Sequence, residues 1–224
     1  LAINVAPLEQ LPHCHPILFR VVNGQEVQSV VEEAKNEHVD IMIARGQQAS
    51  LIKQMMGVPL VELLLTGQEM GVMVEAAKKL VQMEHPSIAV IGLSNMYSDM
   101  QEFDRLFHVK LHQYIVDNTD QIEDAVKQAV QDGNNVILGG DITRRYAQKC
   151  GMPSMFVNSG RESIANALRQ AELIALTIDR EKENTAQMRA LLDYSFNGIL
   201  QLSPDGRVVR LNHVAESMLD LHSG

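Results

Sequence analysis

The sequence has no tryptophan, and aromatic residues fill only 4% of its 224 positions. Two cysteines, Cys14 and Cys150, are too few for a disulfide framework. Lys and Arg number 19 against 28 Asp and Glu, a formal net charge of -9. Affinity for nucleic acid comes largely from neutralising phosphates and needs a basic face. Arg144-Arg145, the adjacent basic pair near a loop, does not make one. The chain is therefore not expected to carry its own DNA-binding surface. No run of about 18 apolar residues is present, so no membrane span is expected. The N-terminus lacks a charged stretch followed by an apolar one, so no secretory signal is expected. With so few cysteines, the expected location is the cytoplasm. The chain opens at Leu1 and is read as a fragment. Phosphate-loop, dinucleotide and nucleophile-elbow motifs (G-x-x-x-x-G-K-[ST], G-x-G-x-x-G, G-x-S-x-G) are missing.

What is present is a globular composition, 46% hydrophobic and 21% charged. That suffices for one large domain or two small ones with cores of their own. Twelve methionines suit an adaptable core. Short β-rich runs alternate with helical ones. Strands are expected at 3–6, 17–22, 40–44, 58–65, 87–93, 109–116, 136–138 and 155–157. Helices are expected at 25–38, 47–56, 68–83, 95–107, 142–150 and from Arg161 onward, with one from Asp120, as cap, to Gln131. Alternation at this spacing means parallel sheets with crossover helices, and nearly all-apolar strands mean sheets covered on both faces.

An internal repeat sharpens the reading. A shift of 94 positions lays Gly46 on Gly140, Gln54 on Gln148, Gly57 on Gly151 and Pro59 on Pro153. The helix before each copy matches after a one-residue slip. The fold class expected is α/β, with two similar parallel-sheet halves of the Rossmann or flavodoxin-like kind facing a cleft. The first half covers about 1–85 plus the last helix, and the second about 86–160.

In open parallel sheets, ligands bind beyond the carboxyl ends of the strands. Each such end here leads toward a helix N-terminus with free N–H groups and partial positive charge. The candidate lining is Arg45, Gly46, Gln47 and Gln48; Thr66 and Gly67; Ser94 and Asn95; Gly140 and Asp141; Asn158, Ser159 and Gly160, with Pro7 and Leu8 from the first loop. This set of polar donors with one fixed cation suits a small anionic or polyhydroxylated molecule. The same residues also suit ordinary strand-to-helix loops.

Other chemistry is weaker. His13-Cys14-His15 is a poor metal site, because neighbours on an extended loop do not converge on one ion. A two-half racemase would place one cysteine in each half at symmetric positions. The mate of Cys150 is Met56 and that of Cys14 is His108, so the cysteines are unrelated by the repeat. An isomerase needs an acid–base pair, and Asp141 with His108 or Cys150 is the pairing available. No catalytic residue, metal or resident cofactor is expected.

From Arg161 to about Ser195 the pattern reads as one long helix, able to pair with a second copy of itself. A hairpin follows, 198–202 and 207–211, turning at Asp205-Gly206, and then a helix from Asn212. The stretch Leu191-Leu192-Asp193-Tyr194-Ser195-Phe196-Asn197-Gly198-Ile199-Leu200, with Asp205-Gly206-Arg207-Val208-Val209 and Asn212-His213-Val214-Ala215-Glu216, resembles the opening of a PAS domain. Residues 1 to about 180 resemble the sensory domain of PrpR-type propionate catabolism activators. The matching features are Ala44-Arg45-Gly46, Gly57-Val58-Pro59 and Thr66-Gly67, then Leu138-Gly139-Gly140-Asp141-Ile142-Thr143 and Gly151-Met152-Pro153. The resemblance implies a sensing domain over 1–180, a linker helix over 181–195 and the first part of a PAS domain over 196–224. It implies a bacterial sigma-54-dependent transcriptional activator. Its AAA+ ATPase and helix-turn-helix lie outside this chain, and only through them does it meet DNA and RNA polymerase. The effector implied is a small organic acid. Its binding is expected to close the cleft, move the last helix and relieve repression of the ATPase.

Overall fold

A computed structural model describes residues 16–18, 20, 26–55 and 57–220. The strand expected at 3–6 and the motif His13-Cys14-His15 lie outside the described residues. Of 17–22, Ile17, Leu18 and Arg20 are described, and none is in a strand. The chain divides into two compact units, Leu1–Leu173 and Ile174–Gly224.

In the first unit the elements follow the expected alternation. Helix α1 (Val27–Asn36) precedes β1 (Met42–Ala44), α2 (Gly46–Met55), β2 (Leu60–Glu62) and α3 (Gly67–Val81). Then come β3 (Ser87–Leu93), α4 (Phe103–Phe107), β4 (Lys110–Val116), α5 (Ile122–Gln131), β5 (Val136–Gly139), α6 (Asp141–Lys149), β6 (Ser154–Phe156) and the start of α7 (Arg161–Asp193), whose residues from Ile174 on belong to the second unit. Strands β1 and β2 pair in parallel. The other four form a second parallel sheet, in the order β4-β3-β5-β6.

The 94-residue shift carries β2 onto β6 residue for residue and the start of α3 onto the start of α7. Helix α1 falls on α5 after the one-residue slip. Glycine punctuates both copies for the same reason. Gly57 and Gly151 follow α2 and α6 at φ +132° and +69°, backbone that a side chain resists.

The inner strands of the larger sheet, β3 and β5, are buried on both faces, which is why they are nearly all apolar, whereas the edge strand β4 alternates and leaves Lys110, His112 and Gln113 exposed. On β3, Ile88 and Val90 face one core with Leu111, Val136 and Leu138. Ala89, Ile91 and Leu93 face the other with Ile137, Val126 and Ala147. Helix α3 covers the first face through Met70, Val74 and Ala77, all fully buried. Helix α7 covers the smaller sheet through Ile164 and Leu168, against Ile43 and Leu63. These are repeat mates, since Met70 maps onto Ile164 and Val74 onto Leu168. Each copy thus sends its last helix onto the other copy's sheet. The halves are interlocked rather than merely adjacent.

Two elements differ from the sequence expectation. The helix expected over 95–107 is a 3-10 turn at Ser94–Met96 followed, after irregular chain, by α4. Its apolar spacing is real, but Tyr97 and Met100 enter the core from irregular backbone, and Phe103 from the first position of α4. Asp120 does not cap α5 directly. The side chain of Asn118 accepts from the Asp120 N–H and starts a 3-10 turn, Thr119–Gln121, that runs into the helix.

In the second unit, β7 (Leu200–Leu202) and β8 (Val208–Leu211) form the antiparallel hairpin. Gly206, at φ +80°, makes its turn, with its N–H donated to the Ser203 carbonyl. Asn212 caps α8 (His213–Leu219) by accepting the Ala215 N–H at 3.0 Å.

Candidate effector site

The carboxyl ends of the two sheets meet. Arg45, just after β1, donates from Nη1 to the Val157 carbonyl at 3.1 Å and to Ser159 Oγ at 3.0 Å, both just beyond β6. Asn95, just after β3, donates from Nδ2 to the Gly46 carbonyl at 3.0 Å, Ser50 Oγ at 3.3 Å and Glu62 Oε1 at 3.1 Å. Gln47 reaches Thr119 Oγ1, beyond β4, at 3.3 Å. A Cβ added at Gly46 or at Gly140 would meet the Met96 side chain, at 3.4 Å and 3.8 Å, so the end of β5 closes on the same residue as the end of β1. Arg45, Gly46, Gln47, Asn95, Gly140 and Ser159 are therefore brought together.

The remaining candidates stand elsewhere or are already engaged. Gln48 is half-buried on the first turn of α2. Ser94 and Asn158 are exposed. Asp141 is exposed and pairs with Arg145 at 3.3 Å, one turn along its own helix. Thr66 faces the first turn of α7, whereas a Cβ on Gly67 would meet the Phe103 ring at 4.0 Å. Thr66 Oγ1 donates to Glu162 Oε2 at 2.9 Å and accepts the Glu69 N–H at 3.2 Å. The free N–H groups expected at α3 are thus partly taken by a capping box. Pro7 and Leu8 lie outside the described residues.

The electrostatics centre on Arg45. Its Nη1 is satisfied, but Nε and Nη2 are buried and have no hydrogen-bond partner among the described residues. These two N–H groups share one edge of the planar guanidinium, the edge that grips a carboxylate with two parallel hydrogen bonds. Asn95 Oδ1, an acceptor, is likewise buried and unpartnered. Burial pushes the Arg45 guanidinium below its ordinary value, opposed by Tyr97 and Glu69. Burial also pushes the Tyr97 phenol up to about 12, against the pull of Arg45. Tyr97 is therefore neutral at pH 7 and brings no countercharge. Glu69 is committed to two backbone donors, Thr66 N–H at 3.2 Å and Ser163 N–H at 3.0 Å. Arg45 is a buried cation with no ion-pair partner among the described residues, an arrangement that favours an anion.

Glu69, Glu162, Ser163 and Glu62 were not among the sequence candidates. A signal for Glu69 was present. Thr66-Gly67-Gln68-Glu69 is a capping-box spacing, and its repeat mate is Ser163.

The acid–base pairings raised by the sequence are not assembled. His108 precedes β4, at the amino end of the larger sheet, whereas Asp141 follows the carboxyl end of β5. Seven-residue strands set those ends about 20 Å apart. Asp141 and Cys150 flank α6, about 13 Å apart at about 1.5 Å per residue. Among the described residues no group of His, Cys, Asp and Glu is placed to hold a metal ion.

The fold defines an interlocked pair of parallel-sheet halves, with a guanidinium edge that has no hydrogen-bond partner among the described residues where their strand ends meet. The sequence profile of the propionate catabolism activator family matches residues 18–181, so the chain belongs to that family, as the sensory domain of a transcriptional activator. Among solved structures, an NtrC family transcriptional regulator from Clostridium acetobutylicum shares the fold. It has a TM-score of 0.54 at 22% identity, over 65% of this chain and 75% of that one. A conserved domain protein from Vibrio cholerae O1 biovar El Tor matches at TM-score 0.38 and 11% identity, over 70% of each chain.

Proposed function

We propose that the first unit is the effector sensor of a sigma-54-dependent activator and that its effector is a small organic anion gripped by Arg45. The observation that carries this reading is the buried, unpartnered Nε/Nη2 edge of Arg45. A carboxylate would fill that edge with two charge-assisted hydrogen bonds. A hydroxyl on the same molecule would suit Asn95 Oδ1. Because Arg45 joins β1 to the chain just beyond β6, an effector there touches both halves and the segment entering α7. A ligand shifts the halves only by its differential affinity for their two arrangements. The shift passes along α7, a continuous helix from Arg161 to Asp193, toward a PAS domain that begins near residue 196. The ATPase and helix-turn-helix that respond, and the contacts with DNA and polymerase, lie outside this chain. Chains pair along α7, and the protein works in the cytoplasm. No helix among the described residues is long and apolar enough to cross a membrane.

The test is a thermal-shift screen against organic acids, sugar phosphates and sugars. An effector at about 100 times its dissociation constant adds about 2.7 kcal/mol of stability. Stabilisation by a carboxylate that Arg45→Ala abolishes is the expected result. Stabilisation that survives Arg45→Ala would remove the anion grip. A well-folded dimer that no compound stabilises would favour a ligand-free dimerisation module.

A further inference from the structure

The Glu69 carboxylate joins the amino ends of two helices that belong to different copies of the repeat. Its Oε2 accepts the Thr66 N–H at the start of α3, and its Oε1 accepts the Ser163 N–H in the first turn of α7. Thr66 and Glu162 complete the joint from the other side. The chain makes room for this. A Cβ on Gly160 would stand 2.3 Å from Glu69 Oε1, so the carboxylate rests directly on the backbone that enters α7. Thr66, the repeat mate of Gly160, carries a side chain, and α3 is capped by that side chain together with Glu69. The α7 copy has no such cap of its own and borrows Glu69. A helix amino end is where an anion is held best, and here it is held by a carboxylate from the other half.

We infer that Glu69 is an internal anion that latches α7 and that an effector anion at Arg45 releases it. This rests on the proposed effector site. Arg45 already feels the charge of Glu69. It also holds Val157 and Ser159, in the segment that leads into Gly160. An incoming carboxylate gives Arg45 a direct partner and sets a like charge near Glu69. Both changes weaken the hold of Glu69 on Ser163. The latch and the effector therefore oppose each other, and each must weaken the other by the same factor.

The experiment uses the full chain, with succinate, citrate and inorganic phosphate as probes. Glu69→Gln removes the charge. Gly160→Ala keeps the charge and the α3 cap but pushes Oε1 off Ser163. Without probe, hydrogen exchange over residues 161–168 is expected to rise severalfold in Gly160→Ala, with the β3–β5 core unchanged. A probe that binds through Arg45 is expected to raise the same exchange in the wild type and to add nothing in Gly160→Ala. Glu69→Gln is expected to bind that probe at least threefold more tightly. A purely structural role for Glu69 predicts weaker or equal binding instead. Equal exchange in Gly160→Ala and wild type, or Arg45-dependent binding that leaves 161–168 unchanged, would overturn the latch and leave the sensor reading standing. No Arg45-dependent binding of any probe would overturn the sensor reading and the release step with it.

Discussion

The amide of Asn95 donates to the carboxylate of Glu62 at 3.1 Å, joining the turn after β3 to the end of β2. The same nitrogen serves the Gly46 carbonyl and Ser50 Oγ, so one side chain ties the larger sheet to the first turn of α2. Asn95→Ala removes this shared donor, although Glu62 keeps Lys53 and the Gly46 carbonyl keeps Ser50 Oγ, at a cost of about 1 kcal/mol. Asn95→Asp is expected to cost more, although it is nearly isosteric. It replaces the donor by a second carboxylate facing Glu62 and a carbonyl. Urea unfolding of the two variants checks the order. An Asp variant as stable as the Ala variant would mean that the amide donates little in solution.

Glu62 is the titrating end of that joint. Its carboxyl is desolvated, which raises its pKa, but hydrogen bonds from Lys53 and Asn95 and the Lys53 charge outweigh this and hold it below its ordinary value. Lys53 stands 3.0 Å away. A carboxyl whose folded-state pKa is depressed stabilises the fold above its unfolded value and loses that contribution as the pH falls through the folded one. The stability gap between wild type and Glu62→Gln is therefore expected to be full near pH 6 and to close as the pH drops below about 4.3, the ordinary value for glutamate. Urea midpoints measured from pH 6 to pH 3.5 read this directly. A gap that persists unchanged at pH 3.5 would assign the effect of the substitution to packing rather than charge.

The repeat made most of the fold legible in the sequence. Gly57 and Gly151, with Pro59 and Pro153 behind them, mark equivalent places, and the elements between them match. That the ends of β1, β3 and β6 carry polar candidates was also legible, because Arg45, Asn95 and Ser159 each stand within three residues of an apolar strand. What was hidden is contact between the copies. Helical spacing alone does not show which sheet α3 covers, and Met70 and Val74 would serve either one. Tyr97, Met100 and Phe103 mimic helical spacing because the irregular segment that leads into α4 buries every third residue in the same core as α3. The acids Glu62 and Glu69 read as surface charge until the partner that each takes is known.

Tyr97 and Gly92 form a second tight joint beneath Arg45. The Tyr97 hydroxyl donates to the Ile91 carbonyl at 3.1 Å, and a Cβ on Gly92 would stand 2.8 Å from the Tyr97 ring. Gly92→Ala therefore overpacks a buried aromatic, at a cost of about 1–3 kcal/mol. Tyr97→Phe removes only the hydrogen bond, worth about 1 kcal/mol. The double variant Gly92→Ala/Tyr97→Leu is expected to recover part of the Gly92→Ala loss, because the ring that the new methyl strikes is gone. A double-mutant cycle by chemical denaturation checks this. Simple additivity would show that the methyl is accommodated by backbone shift instead.

In the second unit, a single buried side chain holds the end of α7 to the hairpin. Asn212 is 4% exposed, and all of its hydrogen-bonding groups are engaged. Its Oδ1 accepts the Ile199 N–H at 2.7 Å and the Ala215 N–H, while Nδ2 donates to the carbonyls of Leu192 at 2.8 Å and Asn197 at 3.0 Å. Asp at this position keeps the helix cap but takes the amide donor from two carbonyls, leaving that of Leu192 with the Ser195 N–H at 3.3 Å, and sets a new charge beside them. Asn212→Asp is therefore expected to retain α8 while freeing 192–199, at a cost of about 1–3 kcal/mol. Asn212→Ala loses both functions. Hydrogen exchange separates the two variants. Asp should raise exchange over 194–199 and spare 214–218, whereas Ala should raise both. If Asp left 194–199 as protected as in the wild type, the tie from Asn212 to α7 would not be what orders that segment.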